Sequence, residues 1–245
     1  MVVHGAWGGG WEWSEVARSL RARGHDVLTP TLSGLGERAH VGAGEAIGLS
    51  THVADVVAVL EMQDLHDVVL CGASYGGMPT TGAADQVPER VGLVVYVDAL
   101  APTDGQSALD LLPAGFGVLV RAGLADHGPR WRVPMPDALW EALMAKERIS
   151  EGRRERYRAR IRDHPAWSFA EPVRVRGAVD RLPRAFVRCT AGRLAEAFAD
   201  DPIERCAARA RAERWRYREL DTGHDPQVFA PEALAVTLDT LAGEA

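Results

Sequence analysis

Ser74 has the neighbours that an activated serine needs: Gly72-Ala73-Ser74-Tyr75-Gly76-Gly77, with small residues two positions before it and two after. The apolar stretch Val68-Val69-Leu70 runs straight into this motif, and a helix-like segment follows. A buried strand that turns sharply into a helix presents a serine hydroxyl at the apex of the turn, and the turn is too tight for large side chains at its shoulders. The chemistry implied is attack on a carbonyl carbon with a covalent acyl intermediate. A serine hydroxyl is a weak nucleophile alone, so it requires a base, an orienter for that base and donors for the oxyanion. Gly-x-Ser-x-Gly also suits a plain loop; the apolar run ahead of it favours the strand-to-helix elbow.

Among the eight histidines, His224 in Asp221-Thr222-Gly223-His224-Asp225 is the candidate base, because it follows the last strand signal and precedes the last helix. His25, His66 and His127 lie near turns and read as solvated. For the oxyanion, Val3-His4-Gly5-Ala6-Trp7 ends the first strand at the same edge of a sheet. The backbone N–H groups of Ala6 and Tyr75 are the candidate pair. Each such donor is worth about 3–4 kcal/mol, since the carbonyl oxygen gains its charge only in the transition state. The glycines that follow suit a flexible loop, but Trp7 and Trp11 around them favour an ordered one.

Positioning these groups demands a sheet whose strand ends converge. The pattern supplies strands at Met1–His4, Asp26–Thr29, Val68–Cys71, Leu93–Val97, Ala185–Val187 and Trp215–Leu220. Between them, Trp13, Val16, Ala17 and Leu20 recur at helical spacing, as do Val53, Val56, Val57 and Leu60 behind a cap at Ser50. The elbow helix runs to about Val87. Asp201 with Glu204 forms a capping box for a later helix, and Pro231 opens the last, whose stripe is Leu234, Thr237, Leu238 and Leu241. The βαβαβαβ order predicts an α/β class: a mostly parallel sheet with helices on both faces. From Ala101 to Arg181 that order breaks. Prolines punctuate this part, which holds two helical stretches, Asp137–Lys146 and Glu151–Arg162, and reads as an inserted helical cap. The division expected is 1–101 and 184–245 for the core and 102–183 for the cap.

At 245 residues, 47% hydrophobic and 25% charged, the composition is that of an ordinary globular chain. A net charge of −6 argues against a nucleic-acid partner, and no apolar run is long enough to span a membrane. Lys146 is the only lysine; the arginines from Arg148 to Arg162 alternate with glutamates and read as a solvated face. Cys71, Cys189 and Cys206 are scattered, which excludes a disulfide framework or zinc motif and makes a reducing cytoplasm the expected setting. No signal peptide is expected, and the chain starts almost directly in a strand, leaving room for a few residues before it. Gly34-Leu35-Gly36-Glu37-Arg38-Ala39, with Asp55 further on, matches a dinucleotide fingerprint. That fold needs its helix to open inside the glycine run, whereas helical spacing begins only at Val53, so the match is set aside.

Taken together, His4-Gly5-Ala6-Trp7-Gly8-Gly9-Gly10-Trp11, Ser33-Gly34-Leu35-Gly36-Glu37-Arg38, the Ser74 motif and Gly223-His224 resemble the α/β-hydrolases. More narrowly they resemble the branch of plant methylesterases, salicylate-binding proteins, hydroxynitrile lyases and their bacterial relatives. The resemblance covers 1–101 and 184–245 and is loose over the cap. It implies a serine hydrolase with no metal or organic cofactor and a substrate pocket under the cap. The lyases of that branch carry threonine after the first histidine and lysine beside the second; this chain has Gly5 and Asp225, so the esterase-like reading is favoured. The resemblance also implies an acid just after the strand at Ala185–Cys189, where Thr190-Ala191-Gly192-Arg193-Leu194 offers none. Asp98, directly after Leu93–Val97, is the preferred orienter, with Glu196 and Asp225 as the alternatives. A carboxylate ending an apolar strand is not there for the core, though it could simply cap the next turn.

The expected activity is therefore ester, thioester or lactone hydrolysis through Ser74, His224 and Asp98, with Ala6 and Tyr75 as oxyanion donors. Leu111, Leu112, Phe116, Leu119, Trp131, Trp140, Trp167 and Phe169 would give the cap an apolar surface for a small to medium hydrophobic substrate. Two alternatives stay open: a biosynthetic catalyst performing acyl transfer, cyclisation or His224-based proton abstraction, and a non-catalytic binder of a small ligand. A homodimer is also left open.

Overall fold

Five parallel strands form the centre of the computed structural model, which describes residues 1–42, 44–145, 149–191 and 201–244. The first part of the chain supplies β1 (Val2–Val3), α1 (Ser14–Ala22), α2 (Leu49–Met62), β2 (Val68–Ala73), α3 (Gly77–Gln86) and β3 (Val91–Val97). A long excursion then adds α4 (Ala108–Leu111), α5 (Ala114–His127), β4 (Arg132–Val133), α6 (Asp137–Met144), α7 (Glu151–Arg158), β5 (His164–Pro165) and α8 (Ala166–Ala170). The chain returns through β6 (Arg184–Cys189), α9 (Pro202–Ala212), β7 (Arg216–Leu220), α10 (Pro226–Phe229) and α11 (Pro231–Gly243).

The sheet order is β1-β2-β3-β6-β7, and β4 pairs only with β5, antiparallel and outside the sheet. Register is continuous across the centre, with Cys71 opposite both Val2 and Val95, and Val95 opposite Ala185. Alternation along the strands sorts the side chains. Cys71, Ala73, Val95, Val97, Ala185 and Val187 pack with Val16 and Leu20 of α1 and Leu234 and Leu238 of α11. Leu70, Val94, Tyr96 and Phe186 pack on the opposite face with residues of α2, α3 and α9. Phe116, Val120, Val133 and Phe169 of the excursion belong to this second core, so it continues from the sheet into the region above Ser74. Trp140, Met144 and Tyr157 form a satellite cluster.

Four expectations are corrected. Asp26–Thr29 is no strand of the sheet: it lies beside β1 through one bond, Val2 N–H to Leu28 O at 2.9 Å, and Pro30 follows, which brings no N–H of its own. Ser50 does not cap α2. Glu171 takes that place, accepting from the Ser50 N–H at 2.8 Å and from its hydroxyl. Asp201 caps α9 by accepting from Ile203 and Glu204 N–H, but the Glu204 carboxylate is engaged by Arg188 and Arg211 rather than closing a capping box. Finally, the excursion contains α5, which the sequence pattern did not predict. Its Gly115, Gly117 and Gly123 weaken intrinsic helicity, and packing holds it: Phe116 and Val120 are buried, and Gly123 leaves the space that the Trp131 indole fills.

The dinucleotide-like stretch is a structural loop. Gly36–Arg38 is one short turn, and Asp55 accepts from the Ser33 N–H and hydroxyl while pairing with Arg38. All three cysteines are buried, and among the described residues no helix is long and apolar enough to cross a membrane.

Candidate active site

The turn after β2 holds Ser74 at φ 51°, a left-handed conformation that non-glycine residues adopt at a cost and that clusters at functional sites. The glycines around it are required by contact. A Cβ on Gly76 would lie 2.6 Å from His4 O and 2.7 Å from Val3 O, and one on Gly72 would lie 2.6 Å from Gly76 O. Asp98, the first residue past β3, is also held at positive φ, 43°. Its N–H donates to Val187 O at 2.7 Å, so the next strand fixes where its carboxylate sits.

The loop after β7 brings His224 between them. His224 Nδ1 lies 2.6 Å from Asp98 Oδ2, and its Nε2 lies 2.9 Å from Ser74 Oγ. A carboxylate can only accept, so Nδ1 carries the proton and Nε2 is free to accept from the serine hydroxyl. Both side chains are shielded from water, Asp98 at 1% exposure and His224 at 9%. Burial pulls the His224 pKa down, but the hydrogen bond and charge of Asp98, with Asp225 behind, hold it above the usual imidazole value; Arg188 opposes them.

Of the two weighed carboxylates that are described, Asp98 is the one that meets the histidine. Asp225 points elsewhere, accepting from Tyr157 and from Gln227. Glu196 lies outside the described residues. One partner was missed: Arg188, on β6 and 5% exposed, donates to Asp98 Oδ1 at 2.6 Å and to Asp201 Oδ2 at 2.6 Å. The Cys189 N–H also donates to Asp98 Oδ1, at 3.0 Å. An arginine that follows the apolar run Ala185-Phe186-Val187 and precedes Cys189 within the strand was the available signal.

Ala6 and Tyr75 border the same pocket as Ser74 and His224. Trp7 fastens the loop that carries Ala6. Trp7, at φ 62°, gives its N–H to His164 Nδ1 (3.2 Å) and its indole N–H to Val133 O (2.9 Å). Behind Tyr75 sits a buried histidine layer that the sequence did not reveal. The Tyr75 hydroxyl donates to His52 Nδ1 at 2.9 Å, and His52 Nε2–H donates to Ser33 O at 3.0 Å. Burial lowers His52, and likewise His4, to about 4, so both are neutral bridges rather than bases at neutral pH. Of the histidines read as solvated, His25 instead contacts Asp239 at 2.7 Å and is only half-buried.

The pocket encloses about 780 Å³ of empty space including its mouth. Leu112, Phe116, Met135, Leu139, Leu143 and Phe169 give it an apolar wall, and Glu12, Tyr157 and Asp225 a polar one. Leu112, Phe116 and Phe169 thus face it as expected. Leu119 and Trp167 do not, being 51% and 38% exposed, and Trp131 and Trp140 pack within the cap. Among the described residues no group of three or more His, Cys, Asp or Glu could hold a metal ion.

The family described as "Alpha/beta hydrolase family" matches residues 1–237. A carbendazim hydrolyzing esterase of Nocardioides sp. (strain SG-4G) is 49% identical over 113 residues, 46% of this chain and 46% of that protein. Methylesterase 10 of Arabidopsis thaliana is 29% identical over 129 residues, 48% of this chain and 46% of that protein. The match thus spans about half the length of these curated relatives. Among solved structures, an extracellular alpha/beta-hydrolase from a Paenibacillus species superposes with a TM-score of 0.78 at 22% identity, covering 98% of this chain and 96% of the other. Tomato methylketone synthase I superposes at 0.76 and 17% identity, covering 99% and 96%.

Proposed function

The chain belongs to the Alpha/beta hydrolase family, and from that premise we propose that it hydrolyses small to medium hydrophobic carboxylic esters through a Ser74 acyl-enzyme. The observation that carries the reading is the unbroken relay from Asp98 Oδ2 to His224 Nδ1 (2.6 Å) and from His224 Nε2 to Ser74 Oγ (2.9 Å).

In this mechanism His224 takes the Ser74 proton as the oxygen attacks the substrate carbonyl, while the Ala6 and Tyr75 amides receive the oxyanion. His224 then protonates the leaving alcohol, and water, deprotonated by the same imidazole, releases the acid. Asp98 keeps the productive tautomer and steadies the transient imidazolium. Residues 102–183 act as the cap over a core of 1–101 and 184–245, and its apolar wall binds the acyl or alkoxy part. The esterase names of the bacterial and plant relatives support ester chemistry. So does the serine–histidine bond, which proton abstraction on a biosynthetic intermediate would not require.

The test is turnover of p-nitrophenyl acetate and butyrate, together with fluorophosphonate labelling, in wild type and Ser74→Ala. Turnover and labelling that both vanish in the variant are expected. A wild type that neither hydrolyses these esters nor takes the label would end the hydrolase reading.

A further inference from the structure

Two fully buried imidazoles, His4 and His164, bracket the loop that carries Ala6, and neither belongs to the Ser74 relay. The Leu32 N–H donates to His4 Nε2 at 3.0 Å, so the His4 proton sits on Nδ1 and is donated to Gly5 O at 2.8 Å. In a trans peptide the N–H points opposite to the carbonyl. A Gly5 carbonyl held by His4 therefore turns the Ala6 N–H the other way. A Cβ on Gly5 would lie 3.1 Å from Ser74 Cβ, so this peptide runs beside the nucleophile.

His164 holds the next peptide. The Trp7 N–H donates to its Nδ1 at 3.2 Å, which leaves the ring proton on Nε2, donated to Ser168 Oγ at 2.8 Å. The Ser168 hydroxyl donates in turn to Pro165 O at 2.8 Å, so the donor chain runs one way, from the loop into β5 and α8. Burial, reinforced by His52, His4 and Arg132, keeps the His164 pKa well below the usual imidazole value, so the ring is neutral and Nδ1 stays an acceptor. The same ring stacks on Phe169, with centroids 4.2 Å apart, and meets the Tyr75 ring edge-on at 4.7 Å. One imidazole thus contacts both arms of the proposed oxyanion hole: the residue after Ala6 by a hydrogen bond, and Tyr75 by its side chain. Packing alone does not require this. An apolar side chain could fill the space between Phe169 and Tyr75, but it would leave the buried Trp7 N–H without an acceptor in a residue already held at φ 62°.

We propose that His164 is the positioning residue of the oxyanion hole. Its Nδ1 lone pair sets the Ala6–Trp7 peptide, and its ring sets that peptide against Tyr75, so that the Ala6 and Tyr75 N–H groups converge on one oxygen. This role rests on the hydrolase reading.

His164→Leu and His164→Asn separate this role from packing. Both lose the ring, but asparagine puts an amide oxygen where Nδ1 stands and leucine puts a methyl group. Loss of an oxyanion donor costs about 10²–10³ in kcat and a displaced donor part of that, so kcat for p-nitrophenyl butyrate should fall about tenfold or more in His164→Leu with KM unchanged. Trifluoroacetophenone inhibits by adding Ser74 Oγ to its carbonyl carbon, which leaves an oxyanion while His224 takes the proton. Its inhibition should weaken by the same factor as kcat, whereas acetophenone, which stays a ketone, should inhibit as in wild type. His164→Asn should restore most of both losses. Amide exchange over residues 5–9 should quicken in His164→Leu and not in His164→Asn. Should His164→Leu fail to fold, His164→Gln takes its place, since its amide reaches the position of Nε2 and leaves that of Nδ1 empty. Wild-type kcat in the folded variant, a fall in kcat without a matching loss of trifluoroacetophenone inhibition, or equal losses in His164→Asn would overturn the proposal. A wild type with neither turnover nor fluorophosphonate labelling removes the hydrolase reading and this role with it. A wild type with both, beside variants that behave alike, removes this role alone.

Discussion

Asp98→Asn is the substitution with the sharpest expected outcome, because the surroundings dictate how the amide must turn. Two donors, Arg188 Nη1–H at 2.6 Å and the Cys189 N–H at 3.0 Å, converge on Oδ1. In the variant the single amide oxygen is held on that side, since the alternative would press an NH₂ group against two N–H donors, one of them charged. The amide N–H then faces His224 Nδ1. That nitrogen becomes the acceptor, the ring proton moves to Nε2, and Nε2 points a proton at Ser74 Oγ instead of a lone pair. The serine loses its base while every heavy atom stays in place. Loss of the productive tautomer in a serine–histidine–aspartate site costs about 10⁴-fold in kcat, equivalent to about 5–6 kcal/mol of barrier. The assay is kcat for p-nitrophenyl butyrate, with thermal unfolding to show that the variant is folded. Asp225→Asn run beside it should retain far more activity, because Asp225 hydrogen-bonds Tyr157 and Gln227 and not the histidine. A loss below tenfold in folded Asp98→Asn, or an equal loss in both variants, would refute the reasoning.

Arg188→Gln should shift the acidic limb of kcat/KM to higher pH. The guanidinium disfavours the imidazolium, so its removal raises the His224 pKa further, and the base is neutral only at higher pH. The same change leaves Asp98 and Asp201 without a buried cation and should cost about 3–5 kcal/mol by denaturant unfolding; an unshifted limb in a folded variant would contradict this role. Acid should destabilise the protein through His4 and His52. Their folded pKa of about 4 against an ordinary 6.5 means that the unfolded chain binds more protons, so stability present above pH 6.5 is lost as pH falls toward 4, by about 3 kcal/mol for each histidine. Urea unfolding at pH 7.5 and pH 4.5 measures it, and a His52→Gln chain with an undiminished pH dependence would exclude His52. Gly76→Ala should lower stability by about 1–3 kcal/mol and abolish turnover, because its methyl meets the His4 and Val3 carbonyls at 2.6 and 2.7 Å. Wild-type melting and activity in that variant would show that the elbow yields.

What could be read along the chain was whatever local pattern decides. Ser74 was legible because an apolar strand, a turn and small shoulders are contiguous. Asp98 was legible because a carboxylate has no place at the end of a core strand unless something uses it. Asp26–Thr29 misled because its residues have strand character, yet a ladder also needs a partner of sufficient length, and β1 is two residues long. Helix α5 was hidden because glycine lowers propensity, and only the folded chain shows Trp131 occupying the space that Gly123 leaves. Glu12, Tyr157 and Asp225 could not be joined in advance: they lie 145 and 68 residues apart, and no local pattern encodes their meeting. The same holds for the layer of His52 and His164 beneath Tyr75, which pairs residues from α2, β5 and the elbow.

The two bonds of Trp7, to His164 and to Val133, have a further meaning. Both partners belong to the β4–β5 ribbon, inside the segment that shapes the pocket, whereas Trp7 adjoins the residue proposed to hold the oxyanion. Selectivity and rate therefore share a fastening. Variation confined to the helices around the ribbon can reshape what enters, but replacement of the ribbon itself also unhooks the loop proposed to stabilise charge. The cap is modular at its periphery and indivisible from the reaction centre at its root.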